Sequence, residues 1–172
     1  LERLNDFCRR ACKQPFTAQE ARKELEEIQA RPSYSMPLRA LGFMLIAFFF
    51  TLFFGGTLRD ALFSLVMGAA AELAVYAMER WGANGVFVNL VASGLAALLA
   101  ALSVDLGIAD NVDKMVIGTF MALVPGVALT NAMRDILAGD YLAGQTRLTE
   151  ALLTAVALAL GAGAALSLAK ML

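Results

Sequence analysis

Five stretches of the chain, Leu38 to Phe54, Ala61 to Met78, Val86 to Val104, Val116 to Ala132 and Ala151 to Ala169, are almost uninterruptedly apolar over about 17 to 19 residues each. That is just enough for a helix to cross a bilayer. The stretches predict five membrane-spanning helices. Before them the pattern is different. Leu1, Leu4, Cys8, Ala11 and Cys12 share one helical face, with Glu2, Arg3, Asn5, Asp6, Arg9 and Arg10 elsewhere, so a short amphipathic helix is expected, ended by Pro15. Thr17-Ala18-Gln19-Glu20 reads as a capping box that starts a second helix running to about Ala30. Arg31 to Pro37, with prolines at 32 and 37, is a linker into the membrane, and Tyr34 suits its interface. The predicted architecture is all-α: a cytoplasmic helical remnant with linker over 1–37 and a five-helix transmembrane domain over 38–172.

Composition strengthens this. Hydrophobic residues make up 59% of the chain and the mean hydropathy is +0.67, more than a soluble core of this length needs, so the surplus faces lipid. The net charge of -1 gives no basic field to attract nucleic acid. There is no His, and Cys8 and Cys12 are an isolated pair, so neither a metal site nor a cofactor is expected. Leu1 stands in mid-pattern without Met or a signal-peptide layout, which leads us to expect a fragment of a longer protein.

The basic residues set an expected orientation. The seven from Arg9 to Arg39 precede or open the first span, and Arg80, Arg134 and Arg147 fall on the same side, against Arg59, Lys114 and Lys170. The N-terminus is therefore placed in the cytoplasm, and Asp105 to Asp113 becomes an external loop.

Small residues four apart let helices approach closely in lipid. The fifth span has one row, Ala151, Ala155, Ala159, Gly163 and Ser167, and beside it a second, Ala157, Gly161, Ala165 and Ala169. The third span has Asn89, Ser93, Ala97 and Ala101. The second span instead carries a polar stripe, Asp60, Ser64, Gly68, Glu72 and Tyr76. Glu72 is deep in its span, where a carboxyl must face protein or water and is suited to proton coupling; pairing with Arg80 is the plainer alternative. In the fourth span Pro125-Gly126 removes a backbone donor and frees carbonyls, a type of break that makes substrate sites in transporters. Thr130, Asn131, Arg134 and Asp135 follow on neighbouring turns, so a hydroxyl, an amide, a guanidinium and a carboxylate converge, and Arg134 can grip a substrate carboxylate. The plainer reading makes Arg134 and Asp135 the cytoplasmic end of a kinked helix. The piece from Ile136 to Arg147 is expected to be an interfacial turn or a short re-entrant segment.

The run from Pro125 to Gly144, PGVALTNAMRDILAGDYLAG, resembles the signature of the bacterial threonine/serine exporter family. The lead-in residues Leu25-Glu26-Glu27-Ile28 and Pro32-Ser33-Tyr34 are similar to its junction into the first span. The closest resemblance is to the split form, in which this larger subunit works with a second, small membrane subunit, and which is associated with export of dicarboxylates such as succinate. The resemblance implies a bacterial inner-membrane exporter of small metabolites, with a cytoplasmic domain that extends upstream of Leu1. Candidate substrate-binding positions are Pro125, Gly126, Thr130, Asn131 and Arg134, and candidate proton-coupling positions are Glu72 and Asp135. Self-association is left open. A scaffold subunit without transport is the alternative. An intramembrane enzyme ranks last, since no nucleophile elbow and no Cys lies in a span.

Overall fold

The computed structural model describes residues 2–12, 17–29 and 34–171. They divide into two compact units, Leu1–Ser35 and Met36–Leu172. The first holds α1 (Glu2–Ala11) and α2 (Ala18–Gln29), joined by an Arg10–Glu24 ion pair. The capping box is present: Glu20 Oε2 accepts from the Thr17 N–H at 3.0 Å and from its hydroxyl at 2.7 Å. Those hydrogen bonds, the hydroxyl's first, hold the Glu20 carboxyl below the usual carboxylate range. Pro15 and the linker residues 31–33 lie outside the described residues.

The second unit holds α3 (Met36–Phe53), α4 (Leu58–Arg80), α5 (Gly85–Asp105), α6 (Val112–Phe120), α7 (Gly126–Leu137) and α8 (Tyr141–Ala169). Four of these, α3, α4, α5 and α8, are long and apolar enough to cross a membrane. The expectation of five continuous spans is corrected at the fourth. Val116 to Ala132 is divided between α6 and α7, of nine and 12 residues, because Pro125 has no N–H to continue the ladder.

The fifth span is corrected too. Leu142 to Arg147, expected in a turn, already belongs to α8, and only Ala138 to Asp140 turns the chain. The turn works because Gly139 takes φ of 87° and Asp140 caps the next helix by accepting from the Ala143 N–H at 3.2 Å.

The centre is α5, against which α4, α6 and α8 all pack. Ser93, Ala97 and Ala101 are buried, as the small-residue row predicts. On α8 it is the second row that packs: Ala157 and Gly161 are buried, while Ala155, Ala159, Gly163 and Ser167 are exposed. A Cβ at Gly161 would run into the Leu90 carbonyl and the Ser93 hydroxyl, so the two backbones meet at this point. The edge helix is α3, packed on α4 and α6 with only 11% of its residues buried. Phe49, Phe50 and Phe53 are exposed, which suits a lipid-exposed position.

Helices α5 and α8 run parallel, since Gly94 meets Gly161 while Ala101 and Asp105 share a cleft with Leu166 and Lys170. At this offset Gly85 is level with about residue 153. The first dozen residues of α8 therefore reach about 18 Å past the start of α5. Along this extension runs α7, held to α8 where Ala132 and Ile136 meet Gly144 and where Arg147 pairs with Asp135 at 2.5 Å.

Candidate functional site

The polar stripe of α4 is the seam along which α3 lies. Ser64 and Thr51 share a hydrogen bond of 2.8 Å between their buried hydroxyls. One turn on, a Cβ at Gly68 would sit 2.6 Å from the Phe43 carbonyl, so a larger residue would force the helices apart. Another turn on is Glu72, whose side chain is 0% exposed.

The partner of Glu72 is Arg39 of α3, not Arg80. Arg39 Nε lies 2.7 Å from Glu72 Oε1, yet neither carboxylate oxygen accepts an aligned hydrogen bond. The contact is thus an ion pair by proximity, with most of the carboxylate's hydrogen-bonding capacity unused. The two terminal nitrogens of Arg39 instead donate to Glu79 Oε2 at 3.2 and 3.3 Å. Glu72 and Glu79 are two turns apart on one face of α4, so one guanidinium serves two carboxylates. Sequence reasoning saw only Arg80 near Glu72, because Arg39 comes from another helix with no local periodicity to announce it.

Asp60, at the other end of the stripe, is fully committed. As N3 of α4 it accepts from the Thr57 N–H at 2.8 Å, and its oxygens also accept from the backbone N–H groups of Asp110 and Asn111 and from the Asn111 amide at 2.7 to 3.0 Å. It pins the loop between α5 and α6 to the start of α4. No unused acceptor remains for a ligand.

Between α6 and α7 the chain makes a tight turn. Leu123 and Val124 both donate to the Phe120 carbonyl at 2.8 Å, and Gly126 donates to the Val124 carbonyl at 2.8 Å. With Pro125 unable to donate and Gly126 bonded elsewhere, the carbonyls of Met121 and Ala122 lack their helical partners. No side chain caps the start of α7, and nothing lies within 4 Å of where a Cβ of Gly126 would be. The break is anchored by Leu123, which packs with Val75, Val88 and Ala92, one turn along α4 from Glu72.

Of the remaining candidates, Thr130 bonds back to the Gly126 carbonyl at 2.7 Å. Asn131 and Arg134 are exposed on the same face of α7 and make no ion pair or hydrogen bond with the described residues. Gly126, Thr130, Asn131 and Arg134 are thus exposed on α7, and Pro125 at its start is half-buried. Asp135 faces α8 and pairs with Arg147. Glu72 stands apart from these residues, on the α3–α4 seam.

A comparison with known protein families matches residues 1–169 to the ThrE family of threonine/serine exporters. The chain belongs to this family. No curated protein and no solved structure matches it. The family is one of transporters, and as a threonine/serine-type membrane exporter the chain lies in a lipid bilayer and handles a small-molecule substrate. Two features of its membrane-spanning unit stand out: a buried carboxylate sharing an arginine, and a break between α6 and α7 with no side-chain cap at the start of α7.

Proposed function

We propose that this chain is the larger subunit of a two-subunit inner-membrane exporter, working by proton-coupled secondary active transport, with its N-terminus in the cytoplasm. The observation that carries the reading is the break at 121–125, with carbonyls released from the helical ladder and no side-chain cap at the start of α7. Such half-helix ends carry opposite partial charges: N–H groups at the start of α7 suit a carboxylate, and the carbonyl end of α6 suits an ammonium. An α-amino acid such as threonine or serine has both groups. Arg134, two turns further on, offers a second carboxylate position, and this favours a C4-dicarboxylate such as succinate as the second reading.

Gly126 keeps the approach open, Thr130, Asn131 and Arg134 extend the polar face, and Asp135 is occupied by Arg147, so the proton falls to Glu72. The opposite wall of the path comes from the small subunit, because the α7 face has no neighbour among the described residues. The orientation follows the positive-inside rule: Arg39, Arg80, Arg134 and Arg147 lie at one end of the unit, against Arg59, Lys114 and Lys170 at the other.

The test is efflux of labelled threonine, serine and succinate from cells expressing the chain with its small subunit, at matched membrane abundance. Wild type is expected to export, and Gly126→Val and Arg134→Ala to lose at least about tenfold of the rate, a cost of about 1.4 kcal/mol in transition-state free energy. Transport that persists unchanged in both variants would reject the site. No flux of any of the three solutes would favour the scaffold alternative.

A further inference from the structure

Charges are scarce in the bundle of α3 to α6, and each can be placed. Arg39 is the only charged residue in α3; α5 has only Asp105, and α6 only Asp113 and Lys114. Those three lie at the Asp60 end, remote from Glu72. Besides Glu72, α4 has Arg59 and Asp60 at that same end and Glu79 and Arg80 at the other. The charged groups that face Glu72 from the helices packed on α4 therefore reduce to Arg39, with Glu79 on its own helix holding the other side of the same guanidinium.

Exposure is graded along this row. Glu72 is sealed, the Arg39 side chain is 30% exposed and Glu79 is 52% exposed at the rim. A sealed carboxylate needs a route for its proton, and this row of charged groups leads from Glu72 to the rim, beside the half-buried Tyr76 one turn along α4.

We infer that Glu79 and Arg39 form the proton entry to Glu72 from the Arg39 end of the bundle, with Arg39 changing partner as Glu72 changes charge. When Glu72 is ionised, Arg39 is divided between two carboxylates. A proton from the aqueous side, received at Glu79 and passed to Glu72, removes the buried negative charge, and the guanidinium then belongs to Glu79 alone. Loss of the proton by the reverse path returns Arg39 to both. Arg39 stays protonated throughout, as a guanidinium must. Movement is confined to the first turns of α3, because further along it is clamped at Gly68 and by the Thr51–Ser64 bond. Arg39 is a positioning residue and Glu79 a proton relay: neither is required to touch the substrate.

This inference rests on the proton-coupled reading, and its test separates the two. Export is measured against pH in proteoliposomes containing both subunits. Glu72→Gln is expected to flatten the profile. Glu79→Gln leaves Arg39 wholly to Glu72, which makes Glu72 harder to protonate, so the midpoint moves to lower pH by about one unit. In an Arg39→Lys background, which keeps the charge but cannot hold both carboxylates in a planar fork, Glu79→Gln is expected to cause no further shift. Glu150→Gln, an exposed change on α8, should leave the midpoint alone. A flat Glu72→Gln profile combined with an unmoved Glu79→Gln midpoint would overturn the entry route while keeping Glu72 as the coupling group. A Glu72→Gln profile identical to wild type would overturn both.

Discussion

At the scale of single residues, burial separates two carboxylates that look alike in the sequence. Asp60 and Glu72 sit on one stripe of α4, 12 residues apart, and each side chain is fully buried. Asp60 accepts hydrogen bonds from two loop N–H groups, an amide and its own cap, so it acts structurally. Asp60→Ala is expected to cost about 1 to 3 kcal/mol, since it strands several donors. The cost should appear as a lower melting temperature in detergent and faster amide exchange over 106–111. Glu72 has only a shared arginine, and removing that partner is expected to be costly. Arg39→Met should reduce membrane abundance through an uncompensated buried charge, and Arg39→Met with Glu72→Gln should restore it. Abundance of the single variant equal to wild type would show that the ion pair does not hold α3 in place. The polar stripe was legible from four-residue spacing. The division of labour was not, because it depends on a loop 50 residues away for Asp60 and on another helix for Glu72.

At the scale of elements, the first three spans were legible because each is a long apolar run with clear ends, while the fourth and fifth depended on competing signals. Pro125-Gly126 announced the break, but whether a proline kinks a helix or divides it depends on the bonds its neighbours form, and here Gly126 bonds within a tight turn. The start of α8 was missed because Tyr141 to Glu150 mixes polar and apolar positions and reads as interface, although its N-cap Asp140 continues it into one 29-residue helix. Such a helix is about 43 Å long, against about 30 Å of hydrocarbon. Its first turns thus form a helical hairpin with α7 rather than crossing lipid. Pro125→Ala is expected to let α6 and α7 merge towards one continuous helix, with export lost and abundance kept. Retained export would mean that the break is not part of the path. Asp135→Ala breaks an exposed pair and should change stability by less than about 1 kcal/mol, while raising amide exchange in α7.

At the scale of the whole molecule, the chain enters its fourth crossing through a half-helix and leaves the α7 face without a neighbour. On the proposed two-subunit reading, α6 and α7 complete a passage beside the four long helices, and a second half of like length would insert in the opposite orientation, the arrangement of an inverted repeat. On that reading, the small subunit would bring its own break against Pro125. Cysteines placed at Thr130 and Asn131 are expected to react quickly with a water-soluble maleimide when the chain is expressed alone, and slowly beside its partner. Equal labelling in the two cases would place the partner elsewhere.

The most direct test of the central claim, export coupled to Glu72 in a bundle with a broken fourth passage, uses proteoliposomes carrying both subunits, loaded with labelled threonine, serine or succinate. Efflux is recorded with and without an imposed pH gradient for wild type and Glu72→Gln. The account predicts that the gradient accelerates wild-type efflux of at least one solute and leaves Glu72→Gln efflux unchanged. Equal acceleration of both proteins would contradict it.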